Sequence, residues 1–129
     1  MMRSLLHLIK SGLEETILVY FWGVELPFDK TLFIKALSSG TIIWRKHTLE
    51  RMLVRGIERA EVLEVFEKGE AIQRYEYDKP FPSTLMLGFP NSRPIHVVVS
   101  FDEIQGEIFV ITAYEPDLTI FEPDFKTKR

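Results

Sequence analysis

One helix-length stretch, HTLERMLVRGI at residues 47–57, carries side chains that suit anion chemistry. His47, Arg51 and Arg55 recur every four residues, so at about 100° per residue they fall on one face of a helix. The apolar residues of the stretch fall on the opposite side: Leu49, Met52 and Leu53. The pattern predicts a helix that buries its leucines and holds an imidazole and two guanidinium groups outward, as a solvated surface or as an anion-binding site.

The chemistry available to such a surface is the metal-free cleavage of a phosphodiester. An imidazole transfers protons near neutral pH, and arginines four residues apart hold a phosphate and stabilise charge that develops on it. Thr112 and Tyr114 end the last predicted strand, where they offer hydroxyls to a phosphate or to an attacking 2′-hydroxyl. RNA supplies its own nucleophile, the 2′-hydroxyl, so the protein needs only groups that position the phosphate, transfer protons and stabilise charge. Thr112 and Tyr114 are also ordinary strand residues, so a structural role for each stays open.

The remaining histidines are His7, in a weakly patterned segment, and His96, inside a predicted strand. A histidine within a strand is more often a hydrogen-bonded structural residue than a catalyst. We call His47, Arg51 and Arg55 the cationic stripe. If the side chain of His96 points toward the helix, its imidazole can contact this stripe. A strand slip of one residue would turn His96 and Tyr114 to opposite faces, so the pattern leaves this point open.

Other catalytic and metal-binding signatures are missing from the sequence. There is no cysteine, no HExxH, no phosphate-cradling glycine loop and no GxSxG elbow. We therefore predict no metal and no cofactor.

Composition and charge fit a single compact protein. Of the 129 residues, 46% are hydrophobic and 27% charged, with a net charge of −3 that argues against a general nucleic-acid binder. Residues 41–60 nevertheless carry five basic and two acidic side chains, so the stripe lies in a locally cationic stretch. The apolar run from Ile17 to Leu26 is too short to span a bilayer, and we expect a cytoplasmic protein without membrane contact.

Periodicity predicts helices first and strands afterwards. The predicted helices run from about Asp29 to Ser39, Arg45 to Arg55 and Arg59 to Lys68, with a short extended piece from Thr41 to Trp44. Gly56 is expected as a left-handed helix end. Predicted strands cover residues 71–77, 84–89, 95–102 and 107–114. The fold class is therefore α+β, with N-terminal helices packed on one face of an antiparallel sheet of about four strands.

Residues 1–40 are predicted to form an N-terminal extension that precedes a domain over residues 41–129. Its expected elements are a helix to Ser11, a strand from Gly12 to Val24 and the helix that ends at Ser39. The aromatic run Tyr20-Phe21-Trp22 would form an exposed apolar patch if unpacked. We expect this run to cover the domain or to make a contact within a homo-oligomer.

Three segments together resemble the bacterial domain of unknown function 4258: HTLERMLVRGI, RPIHVVVSFDE (93–103) and FVITAYEPD (109–117). Members of that family look similar to small toxins of the RelE and MqsR type, which pack helices on an antiparallel sheet and cleave RNA without a metal. Some are encoded beside small zinc-finger proteins that resemble antitoxins. The resemblance implies a RelE-like toxin-type domain over residues 41–129, an RNA substrate and an antitoxin partner of the zinc-finger type.

The resemblance also implies roles for six residues. His47, His96 and Tyr114 would be catalytic, while Arg51, Arg55 and Thr112 would bind the substrate during cleavage through a 2′,3′-cyclic phosphate. Two alternatives remain at this point. The same stripe could belong to a non-catalytic module that binds RNA or a partner protein, or it could serve helix packing, with Arg55 capping carbonyl groups near Gly56.

Overall fold

The computed structural model describes residues 23–39 and 41–129. The helices are α1 (Lys30–Ser39), α2 (Lys46–Arg55) and α3 (Arg59–Lys68). The strands are β1 (Ile42–Trp44), β2 (Glu70–Tyr75), β3 (Ser83–Gly88), β4 (Ile95–Asp102) and β5 (Glu107–Tyr114), with a short 3₁₀ turn at Pro90–Ser92. The strand order in the sheet is β1-β5-β4-β3-β2, where β1 is parallel to β5 and the other pairs are antiparallel.

The mixed helix-and-sheet class is as predicted, but the sheet has five strands rather than about four. The additional strand is β1, which sequence analysis treated as a short extended piece. Its three residues pair with Ile108, Phe109 and Val110. Its pairing could not be predicted, because the partner strand lies more than sixty residues away and a three-residue segment shows no clear periodicity. Because β1 lies between α1 and α2, the helices do not form one uninterrupted N-terminal block.

The predicted helix over residues 1–11, most of the predicted strand up to Val24 and the aromatic run Tyr20-Phe21-Trp22 lie outside the described residues. The part of residues 1–40 that is described includes α1. Phe33 and Ala36 of this helix are buried in the same core as the sheet.

The alternation of side chains along β4 defines two faces of the sheet. Ile95, Val97 and Val99 enter the core, where they pack with Met52 of α2 and Phe66 of α3. We call the opposite side the outer face. It carries His96, Val98 and Ser100 of β4 and their cross-strand partners on β5, which are Tyr114, Thr112 and Phe109 respectively.

A bulge in β5 brings these partners to one face. Val98 pairs with Thr112 but Val99 pairs with Val110, so Ile111 is an extra residue without a counterpart. In a regular strand Phe109 and Thr112, three residues apart, would point to opposite faces. The bulge places both on the outer face.

Helix α2 covers an edge of β5 that no strand covers. Strand β1 ends opposite Val110, so the rest of β5 has no strand neighbour on that side. The Thr48 hydroxyl donates to the carbonyls of Val110 (3.3 Å) and Ile111 (3.0 Å), and the Arg55 guanidinium donates to the carbonyl of Ala113 (2.9 Å). These bonds satisfy β5 carbonyl groups that would otherwise have no hydrogen-bond donor beneath α2.

The junction between α2 and α3 is fixed by a glycine and an ion pair. Gly56 adopts the predicted left-handed conformation (φ 68°, ψ 34°), and its N–H bonds the carbonyl of Leu53. Buried Glu61 accepts from the N–H of Glu58 and from the Arg93 guanidinium at 2.9 Å, while Arg93 also donates to the carbonyl of Gly56. Burial alone would raise the pKa of Glu61, but these hydrogen bonds hold the pKa below its ordinary value.

Loss of this ion pair should destabilise the protein. Replacing Glu61 by Ala leaves Arg93 without its buried partner, and we expect the free energy of unfolding to fall by about 2 kcal/mol. Urea unfolding at neutral pH measures the change. Glu67→Ala on the exposed side of α3 is the matched control and should change little. Equal stability of the two variants would contradict this role for Glu61.

Candidate functional site

The structure divides the six predicted site residues into three pairs. His47 and Arg51 lie on the exposed surface of α2, and their side chains make no hydrogen bond or ion pair with another described residue. The other four residues form two separate pairs. Arg55 donates to the Thr112 hydroxyl at the edge of β5, and Nδ1 of His96 lies 3.3 Å from the Tyr114 hydroxyl on the outer face. Arg55 lies on the same helix as the exposed pair.

The orientation of α2 follows from its contacts. Thr48 and Arg55 point at the edge of β5, and Leu49 is half-buried against the core. At about 100° per residue, His47 and Arg51 lie on the opposite flank from Leu49, next to the line that bonds β5. The predicted stripe therefore borders the outer-face side of the edge and points away from the core.

One expectation about α2 is wrong. Met52 is buried and Leu49 half-buried, but Leu53 is 81% exposed and its neighbour Val54 is 87% exposed. The helix buries a narrower stripe than the apolar pattern predicts, because it packs against a strand edge as well as the core. Two adjacent apolar side chains are thus left on its solvent side.

Arg55 is partly committed to the fold. Its guanidinium donates to the hydroxyl of Thr112 (3.3 Å) and to the carbonyl of Ala113 (2.9 Å). The side chain nevertheless remains exposed, and a guanidinium has five N–H donors. Arg55 can therefore hold the edge of β5 and still present donors to an anion beside Thr112.

His96 faces away from α2. Its imidazole is fully buried on the outer face, where the ring of Phe121 packs against it edge to face at 4.8 Å between centroids. Nε2 lies 2.7 Å from the carbonyl oxygen of Phe125, and Nδ1 lies 3.3 Å from the hydroxyl of Tyr114. The orientation of His96, which the sequence pattern left open, is thus away from the cationic stripe, and the segment 116–129 covers the ring.

These contacts set the tautomer of His96. A carbonyl only accepts, so Nε2 carries the hydrogen, and Nδ1 accepts the proton of the Tyr114 hydroxyl. Burial lowers the pKa of His96 below 6.5, although the hydrogen bond to Phe125 opposes this shift. Burial raises the pKa of Tyr114, as does nearby Tyr75, while Arg55 lowers it. Both groups are therefore neutral at physiological pH, and both imidazole nitrogens are engaged.

Sequence analysis did not identify Thr48, Arg45 or Phe109 as residues of this region. Thr48 shapes the site by bonding the edge of β5. Arg45 immediately precedes α2 and lies over the ring of Phe109. The excess of basic residues in the stretch 41–60 could have identified Arg45. Simple alternation along β5 would not place Phe109 on the same face as Thr112 and Tyr114, because it does not account for the bulge.

Neither a metal cluster nor a membrane-spanning helix is found in the part of the chain that the structure describes. Residues 23–39 and 41–129 contain no group of three or more His, Asp or Glu side chains arranged to hold a metal ion. No helix within the same ranges is long and apolar enough to cross a bilayer.

The protein is a sheet with helices packed on one face and with the cationic stripe along one strand edge. The chain belongs to the family described as Domain of unknown function (DUF4258), whose model matches residues 44–115, more than half of the sequence. The match confirms the family seen in the sequence and includes all six predicted site residues. No curated protein matches the chain. No solved structure matches it either.

The buried histidine should make stability depend on pH. Because its pKa is lowered in the folded protein, the unfolded chain takes up a proton first as the pH falls below 6.5, and stability then declines. This group contributes at most about 1.4 kcal/mol per pH unit. Replacing His96 by Gln keeps an amide donor and acceptor but removes the titration, so we expect a shallower decline.

The measurement is urea unfolding of wild type and His96→Gln at several pH values between about 5.5 and 7.5. The other titratable groups contribute equally to both proteins, so the difference in slope isolates His96. Parallel curves would show that the imidazole is not held neutral in the folded state.

Proposed function

We propose that this protein is a toxin-type endoribonuclease that holds RNA along α2 and the edge of β5. The observation that carries the proposal is the position of His47 and Arg51, exposed and unpartnered among the described residues, beside the Arg55–Thr112 contact. An imidazole, two guanidinium groups and a hydroxyl thus border one strand edge. A phosphate group bound there would meet charge and hydrogen-bond donors together.

The proposed reaction uses the RNA as its own nucleophile. His47 takes the proton of the 2′-hydroxyl, whose oxygen forms a bond to phosphorus while the bond to the 5′-oxygen breaks. The leaving 5′-oxygen takes a proton from water, and the imidazolium of His47 returns its proton to solvent. Arg51 and Arg55 stabilise the charge on the phosphate. The products are a 2′,3′-cyclic phosphate and a 5′-hydroxyl.

His96 and Tyr114 act differently in this proposal from what the family resemblance implies. Both nitrogens of His96 are engaged and its ring is covered, so the pair orders the outer face rather than reaching the scissile phosphate. Tyr114 is half-buried and stays at the border of the site. The likeness to RelE and MqsR toxins, and a cytoplasmic location, belong to the proposal. The helices packed against one face of a largely antiparallel sheet support that likeness.

A non-catalytic binding module is the second candidate. The engagement of His96 favours it, because His47 is then the single exposed imidazole near the stripe within the described ranges. Binding needs the cations alone, whereas cleavage needs proton transfer as well. Exposed Val54 beside His47, and exposed Leu53 farther round the solvent side of α2, would suit a protein partner, such as an antitoxin of the zinc-finger type. A homo-oligomer formed through residues 1–40 stays a prediction.

RNA cleavage by purified protein in EDTA tests the first candidate. We expect His47→Ala to lower the rate by about 100-fold or more, since a positioned proton-transfer group contributes roughly that much. Substrates with a single 2′-deoxy position should resist cleavage at that position. Cyclic-phosphate ends are identified by their resistance to a phosphatase, which removes the phosphate only after acid has opened the ring.

Lys46→Ala is the matched control for charge. Lys46 also lies on α2 but faces solvent on the other flank, where it is 3.9 Å from Glu50. It should therefore keep both binding and cleavage, whereas Arg51→Ala should weaken both. If Arg51→Ala weakens RNA binding but folded wild type forms no product, the binding module replaces the ribonuclease. If Lys46→Ala and Arg51→Ala behave alike, the stripe is not the site.

A further inference from the structure

Two aromatic rings and an arginine form a stack at one end of the α2–β5 border. The rings of Phe81 and Phe109 lie nearly parallel, with 5.7 Å between centroids and 10° between planes. The guanidinium of Arg45 lies 5.6 Å from the centroid of Phe109. Both rings are half-buried, so part of the stack remains open to solvent.

The stack is aligned along β5 with the site residues Thr112 and Tyr114. Phe109, Thr112 and Tyr114 share the outer face of β5, because the bulge at Ile111 restores their common orientation. With a rise of about 3.3 Å per residue, Phe109 and Tyr114 lie about 15 Å apart along the strand. Aromatic side chains thus occupy both ends of this row and a hydroxyl lies between them.

Basic side chains run beside the row in the same direction. Arg45 contacts Phe109 at the start of α2, and Arg55 contacts Thr112 at its end. His47 and Arg51 lie between them on the flank that borders the outer face. A line of cations therefore follows a line of ring-bearing residues along one strand.

We propose that the substrate is single-stranded RNA, with an unpaired base stacked on the ring of Phe81, where it extends the stack of Arg45 and Phe109, and the adjoining phosphates along Arg51 and Arg55. Sites for single strands combine a cationic track for the backbone with rings on which bases stack. A duplex offers its phosphates but not the faces of its bases, so it would use the cations alone. This inference rests on the proposed RNA binding and specifies the class of RNA.

The test compares the affinities of one fluorescent single-stranded RNA and its duplex by anisotropy, in EDTA, with a 2′-O-methyl backbone that cannot be cleaved. We expect wild type to prefer the single strand. Phe81→Leu keeps an apolar side chain but removes the ring, and should weaken single-strand binding by roughly five- to fiftyfold while duplex binding changes little. Phe89→Leu is the matched control, because Phe89 is 52% exposed and pairs with Phe125 instead.

The outcomes separate this inference from the proposed function. Equal affinity for single strand and duplex, or a folded Phe81→Leu variant with wild-type affinity, would overturn the inference while RNA binding stands. Equal losses in Phe81→Leu and Phe89→Leu would overturn it too, since stacking would not be confined to the row. If the protein binds no RNA, or binds RNA equally well without Arg51, the proposed RNA site itself is rejected.

Discussion

The unpaired edge of β5 is the constraint on which the site depends. Beyond Val110 the strand has no neighbouring strand on the side that faces α2, and each carbonyl left unsatisfied there in a buried setting would cost about 1–3 kcal/mol. Thr48 and Arg55 donate to that edge, which fixes the rotation of α2 about its own axis. The basic side chains on the neighbouring flank are placed beside the outer face as a consequence. A structural requirement of the sheet thus positions the groups that we assign to RNA.

The outer face is organised around a second interaction, between His96, Tyr114 and Phe125. Burial keeps the imidazole neutral, and the carbonyl of Phe125 fixes which nitrogen carries hydrogen. The segment 116–129 is held there also by an ion pair of 2.9 Å between Lys126 and Glu70. It covers one end of the outer face and leaves the border near Thr112 and Phe109 half-open. Burial therefore distinguishes His96 from the exposed His47, although both lie within the region that the family model matches.

Local features of the chain were predictable from the sequence. Helix α3 and strands β4 and β5 have the predicted bounds, and Gly56 ends α2 in the left-handed conformation. Apolar periodicity and glycine chemistry depend on near neighbours, so a sequence shows them directly. The cationic stripe itself was also visible, because helical spacing alone places His47, Arg51 and Arg55 on one side.

Features that depend on distant partners were not predictable. The pairing of β1 with β5 and the donation from Thr48 to β5 join residues about sixty positions apart. The bulge at Ile111 changes which side chains share a face, so simple alternation misplaces Phe109 relative to Thr112. Burial of His96 requires the segment that covers it, and Leu53 is exposed because α2 packs on an edge. In each case tertiary context overrides the local pattern.

The most direct test of the central claim is a map of the RNA contact on the protein. Amide chemical shifts of isotope-labelled protein would be followed by NMR during titration with a non-cleavable single-stranded RNA. We predict that the largest changes fall at His47, Arg51 and Arg55 on α2 and in residues 109–114, with little change in residues 116–129. Changes centred on residues 116–129, or on the solvent flank of α2 around Lys46 and Glu50, would contradict the assignment of the site to the border of α2 and β5.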